Sequence, residues 1–197
     1  MKIFSASYSA ASLALLGVQL ALVSSVAGKY LYERHTCPRV WTRAAAVDPE
    51  LVMRGRYLSL KLRVDGCRIT LPGSREAAVA QNLVTAYQVT PNATPERVEI
   101  AFPARLTAED GKLNATWIRD PGKSSRGQRV SGWLEGPCDA MQLEMPVDFY
   151  IPEHAQDPSR LQTGQELWIE VTVPPAGPPR PIQLALKQGG EWKPLAF

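Results

Sequence analysis

Arg54-Gly55-Arg56-Tyr57-Leu58-Ser59-Leu60-Lys61-Leu62 alternates from Tyr57 onward between two sides. Tyr57, Ser59, Lys61 and Arg63 form the polar side, and Leu58, Leu60, Leu62 and Val64 the apolar one. A period of two marks a strand with one face on a core and the other toward water. Gly55 supplies the turn at its entrance. Outward from this strand, Asp65-Gly66 reads as a hairpin turn with a returning strand over 67–71, ended by Pro72-Gly73. Further strands are expected over 83–89, 97–102, 113–118, 128–135, 141–151, 167–173, 182–187 and 192–197. Short helices are expected over 76–81 and 157–162. Tight connections fall at Thr90-Pro91-Asn92, Asp110-Gly111 and Asp120-Pro121-Gly122. With 17 Pro and 14 Gly as punctuation and no strand–helix alternation, the pattern predicts a mainly β protein, an antiparallel β-barrel or β-sandwich. The proline-rich run 174–181 reads as a loop between two late strands, since its prolines resist a sheet interior.

Upstream the chain changes character. Lys2 is the one charge within residues 1–28, and the interval is rich in Leu, Val and Ala. Residues 8–28 reach the roughly 20 apolar residues needed to span a bilayer. Lys29, Tyr30, Tyr32 and Arg34 follow as an aromatic and basic collar of the kind found at a membrane surface. Ser25-Val26-Ala27 also resembles a signal-peptidase site, so the alternative is a secreted, soluble β protein cleaved near Ala27. The organisation expected is a transmembrane anchor over 1–28, a connector over 29–46 and a β-rich extracytoplasmic domain over 47–197. Counting flanking charges does not orient the helix, because Lys29, Arg34 and Arg39 lie just beyond it and only Lys2 and the terminal amine precede it.

Beyond the anchor, 21 Lys and Arg face 19 Asp and Glu. That balance, with the cations scattered singly, argues against a nucleic-acid partner. The densest positive stretch, Arg119, Lys123, Arg126 and Arg129, lies among Gly, Ser and Pro with Asp120 inside it, and reads as a solvated loop. The three cysteines lack metal-ligand spacing, so neither a metal nor a cofactor is implied. In an oxidising compartment Cys67 and Cys138, each beside a turn, are a candidate disulfide that leaves Cys37 over. Three free thiols is the other reading.

Two stretches carry a family resemblance. Val47-Asp48-Pro49, Leu51 and Arg54-Gly55-Arg56-Tyr57 through Leu60 form the first, and Phe149-Tyr150-Ile151-Pro152-Glu153 the second. Together they resemble the GDYXXLXY family of bacterial membrane-anchored proteins, whose members carry a V-D-P … L-R-G-D-Y-x-x-L-x-Y stretch after an N-terminal helix and a later R-Y-F-V-P-E element. The resemblance implies a single-pass protein of the cytoplasmic (inner) membrane with a periplasmic β domain, and it brings no reaction with it. Asp48, Pro49, Arg54, Gly55, Arg56, Tyr57, Leu60, Tyr150, Pro152 and Glu153 are its matched or aligned positions. Arg56 stands where the family has Asp and Leu62 where it has Tyr. Losing the motif's acid argues for a structural role, and Glu153 is expected beside the 54–57 turn at one end of the domain.

Catalytic constellations are missing from the pattern. His35 and His154 are the only histidines, and neither has a motif partner. Ser59 and Lys61 lie too close in sequence to match the Ser-Lys dyad of membrane-bound signal peptidases, which leaves an envelope hydrolase as the alternative activity. Trp41, Trp117, Trp133, Trp168 and Trp192 sit in strand contexts and are expected mostly in the core, the other reading being a sugar-binding platform. No small-molecule substrate is identifiable, and the expected role is partner binding or assembly, with a membrane protein as the partner.

Overall fold

The computed structural model describes residues 10–47, 57–88, 97–119, 127–152, 155 and 157–196. It divides into two units, Met1–Cys37 and Pro38–Phe197. In the first, α1 (Ala10–Thr36) is one helix of 27 residues, about 40 Å long, with Leu13, Leu16, Leu20 and Val23 all exposed. Its length and composition suffice to cross a membrane, a test that a signal sequence near the N-terminus passes equally well.

The connector expected over 29–46 is not found. Residues 29–36 contain no helix breaker, and they continue α1 with Lys29 and Glu33 paired at 3.9 Å one turn apart. Pro38 ends the helix, because a residue before proline avoids helical geometry. The next residues form β1 (Arg39–Ala46), with Val40, Thr42 and Ala44 buried and Arg39, Arg43 and Ala45 outward.

In the second unit, β1 pairs through residues 39–43 with β9 (Gln165–Thr172) and through residues 44–46 with β2 (Tyr57–Val64). It therefore joins two groups of strands. On one side, β9 pairs with β10 (Arg180–Gln188), and β10 with β11 (Glu191–Leu195) across Gly189-Gly190, both at positive φ. On the other, β2 pairs with β7 (Met141–Leu143), β7 with β6 (Gln128–Trp133), and β6 with β4 (Arg97–Glu109). The first residues of β4 also pair with β3 (Val84–Gln88), and its last residues with β5 (Lys112–Trp117). Pro103 lies at the handover between those two neighbours, a position a proline tolerates better than a continuous ladder. Asp110 and Gly111 turn β4 into β5 at φ of 53° and 69°, the left-handed pair a two-residue hairpin requires. The sheet does not close, and the domain is a mainly antiparallel sandwich-like β structure.

The core follows from alternation. Leu58, Leu60, Leu62 and Val64 of β2 are between 0% and 2% exposed and pack with Ile100, Phe102, Leu143, Ile169, Val171 and Leu184 from the other strands. Each such side chain contributes about 1.5–3 kcal/mol of burial free energy, which fixes the register of β2, since a slip of one residue would turn its polar side inward.

Three local expectations are corrected. No strand returns from Asp65-Gly66; residues 67–69 turn, and α2 (Arg75–Ala80) follows with Ser74 as its N-cap. The end of β2 is instead stitched to β5, with the Asp65 amide donating to Leu113 O and the Ala115 amide to Asp65 O, both at 2.8 Å. The strand expected over 141–151 is two, because Glu144-Met145-Pro146 interrupts it before β8 (Val147–Tyr150). Residues 157–162 contain no helix; the Asp157 carboxylate accepts from the Ser159 amide at 2.9 Å and its hydroxyl at 2.6 Å, an Asx turn.

Candidate functional site

Three outward side chains of β2, those of Tyr57, Ser59 and Arg63, each reach a different neighbour. At its start Tyr57 lies directly opposite Tyr150 of β8, with the rings edge to face and centroids 5.7 Å apart and both residues exposed. One residue pair further in on the same face, the Ser59 hydroxyl donates to Asp148 at 2.6 Å. Residues 57–60 of the first stretch and 149–150 of the second thus lie on adjacent strands, and Tyr57 and Tyr150 share a surface. Leu60 is fully buried opposite Val147, and Pro152 accepts from the Ala155 amide at 3.0 Å. Asp48, Pro49, Arg54, Gly55, Arg56 and Glu153 lie outside the described residues, as does the expected meeting of Glu153 with the 54–57 turn.

At its far end β2 is clamped. Cys67 and Cys138 form a disulfide across 71 residues of chain, and the Gly66 amide donates to Cys138 O at 2.8 Å. Gly66 sits in a close contact: a Cβ there would push the Met141 sulfur aside and stand 3.3 Å from the Cys138 carbonyl. Arg63 Nε donates to Asp139 O at 2.7 Å, and its guanidinium pairs with the Asp139 carboxylate at 3.4 Å. Asp65, with a side chain 10% exposed, accepts from Lys112 at 2.8 Å. Burial pushes the Asp65 carboxyl up, but hydrogen bonds from Lys112 and the Cys67 amide, with the charges of Lys112 and Arg68, outweigh it and hold the group below the usual carboxylate range. The same contact holds the Lys112 ammonium above its ordinary value.

Beside this clamp, lined in part by Arg63, Asp65, Lys112 and Asp139, lies an aromatic cleft. None of the five tryptophans is fully buried, contrary to the expectation that most belong to the core. Trp117 packs against Phe102 and carries the Arg119 guanidinium 5.2 Å over its ring. Trp41, Trp168 and Trp192 form one cluster on the outward face of β1, β9 and β11, with Trp192 centred 5.4 Å from Trp41 and 5.0 Å from Trp168. Lys187 Nζ stands 5.2 Å over both Trp168 and Trp192. Trp41 and Trp168 line a cleft of about 300 Å³ with Arg43, Arg63, Asp65 and Glu166. Glu166 accepts from Trp168 Nε1 at 3.0 Å and pairs with Arg43 at 3.2 Å, which fixes the indole. A second cleft of about 260 Å³ shares Arg43 and Arg63 and adds Lys61, with no acidic residue lining it. The sequence signal for this site was the position of Trp41, Arg43, Trp168, Lys61 and Arg63 at outward-facing positions of three strands, and it was hidden while β1 read as a connector.

Among the described residues no group of three or more His, Cys, Asp or Glu is placed to hold a metal. No family model, no curated protein and no solved structure matches this chain.

Proposed function

We propose that this chain is a membrane-anchored envelope protein, related to the GDYXXLXY family, whose β domain binds a partner outside the cytoplasmic membrane and performs no reaction. The carrying observation is the Cys67–Cys138 disulfide in a domain that follows a helix of spanning length. Disulfides persist on the oxidising side of a membrane and are rare on the cytosolic side, so the pair supports an extracytoplasmic domain, a point on which the flanking charges are neutral. The exposed Tyr57–Tyr150 pair and the tryptophan cleft supply the binding surface, since exposed aromatics on a rigid scaffold are the commonest anchors of recognition. The family relation is supported by the pairing of its two motif stretches along β2 and β8.

The test is a C-terminal reporter active only after export, with membrane fractionation, N-terminal sequencing and co-purification from gently solubilised membranes. Export activity, a membrane-bound chain that keeps Met1 and a co-purifying membrane protein are expected. An inactive reporter with all three thiols free would reverse the orientation, and a soluble chain beginning at Gly28 would establish the secreted form instead.

A further inference from the structure

We propose that the two adjoining clefts on the outward faces of β1, β2 and β9 bind a saccharide bearing an acidic substituent, a carboxylate or a phosphate. The proposal rests on the reading of the domain as a binding module and names its ligand class. The larger cleft offers two indoles, Trp41 and Trp168, at least one of them held in place by Glu166. An indole face suits the C–H face of a sugar ring, which buries apolar area while its hydroxyls stay at the rim. The rim is polar: the ion pairs Arg43–Glu166 and Arg63–Asp139 line it, together with Asp65 and Lys112. Such a lining disfavours a purely apolar ligand, because those charges would lose water without gaining partners.

The smaller cleft determines the sign of the substituent. Arg43, Lys61 and Arg63 line it together with Ala44, Ala45 and Gln142, and no carboxylate accompanies them. Arg43 and Arg63 each have an acid on the far side, in the aromatic cleft, whereas Lys61 has no ion-pair partner among the described residues. An anion seated there takes charge-assisted hydrogen bonds from three cations. Because both clefts share Arg43 and Arg63, one ligand spans them, its ring on the tryptophans and its acid on Lys61. Volumes of about 300 and 260 Å³ fall at the lower end of small-ligand sites, the size of one or two sugar rings and not of a folded partner. Aromatic faces beside cations also suit single-stranded nucleic acid, but the near-neutral domain offers no extended basic track for a backbone.

The experiment titrates the full chain in detergent, following tryptophan fluorescence, with an oligogalacturonate, with glucose 1-phosphate, with a neutral malto-oligosaccharide and with a thymidine oligonucleotide. Saturable quenching is expected from at least one acidic saccharide, at roughly tenfold or better affinity over the neutral one, and the stronger acidic probe distinguishes carboxylate from phosphate. Trp168→Ala should weaken all saccharides by on the order of tenfold, and Trp168→Phe, which keeps an aromatic face, by less. Lys61→Gln, on the outward side of β2, should weaken the acidic saccharides by roughly tenfold and the neutral one by clearly less. No saturable response to either acidic probe, tightest binding to the oligonucleotide, or indifference to both Trp168→Ala and Lys61→Gln would overturn the proposal. If saccharides fail while a membrane protein co-purifies, the binding-module reading stands and only the ligand class falls.

Discussion

Opening the Cys67–Cys138 bridge should cost a large share of the domain's stability. The bridge closes a loop of 71 residues, and the chain-entropy model assigns such a loop about 4 kcal/mol, mostly through the freedom restored to the unfolded chain. Direct strand pairing is thin at this corner, where β2 and β7 share two register pairs, Arg63 with Gln142 and Val64 with Met141, and the bridge works alongside the Arg63–Asp139 and Asp65–Lys112 ion pairs. For a domain of this size each kcal/mol moves the midpoint by about 2–4 °C, so the Cys67→Ala/Cys138→Ala double variant should melt roughly 8–16 °C below the wild type. The assay is thermal unfolding of the full chain in detergent, followed by circular dichroism in the β region, with and without reductant. Reductant should lower the wild-type midpoint to that of the double variant and leave the double variant unmoved. Cys37→Ser should change neither midpoint, since Cys37 lies outside the bridge. Coincident midpoints for oxidised, reduced and double-variant protein would refute both the estimate and the assignment of the bridge as the clamp on β2.

Gly66→Ala should destabilise the domain by about 1–3 kcal/mol, because its Cβ meets the Met141 sulfur and the Cys138 carbonyl; denaturant midpoints measure it, and an unchanged midpoint would place slack where the structure has none. Phe102→Ala, at a position 1% exposed, should cost about 3–5 kcal/mol in the same assay. Asp65 has a folded pKa below its unfolded value, so its stabilising contribution is present above the unfolded value of about 3.9 and is lost as pH falls through the folded pKa. The wild type should therefore lose stability more steeply below about pH 4 than Asp65→Asn, and parallel melting profiles against pH would contradict the Lys112 pairing. Tyr150→Ala removes one ring of an exposed pair and should cost only about 0.5–1.5 kcal/mol, while reducing recovery of any co-purifying partner; a large fall in midpoint would make the pair structural.

Much of the sheet was legible because its strands obey a simple rule. Tyr57 to Val64 alternates strictly and forms β2 over the expected residues, and the Asp110-Gly111 turn adopts the positive φ angles its composition demands. β1 was not legible, because its inward positions are Val40, Thr42 and Ala44, a weak apolar signal for a strand that sits centrally between β9 and β2. Propensity reads side chains, whereas β1 is held by partners on both edges. Asp65-Gly66 misled for the opposite reason. The dipeptide has hairpin chemistry, but a parallel bridge from Asp65 to Asn114 and the disulfide at Cys67 consume the backbone and side chains a hairpin would need. The tryptophan cleft depends on strands far apart in sequence, β1, β9 and β11, converging on one face, and a period of two carries no information about which strands become neighbours.

Within β2 the inward and the outward positions answer to different constraints. Leu62 is 0% exposed in the core. A tyrosine there would need a partner for its hydroxyl, so leucine is the residue a sealed apolar layer accepts without rearrangement. Leu60 is buried beside it, while Tyr57 at the strand entrance points outward to Tyr150. Residues 57–62 therefore meet two constraints at once: the inward positions answer to packing, and Tyr57 to a surface. Outward positions on a strand whose inward side chains are locked can change at little cost to the fold. Lys61 occupies such a position and lines the cationic cleft beside Arg63, so its side chain can be changed while the sandwich stays the same.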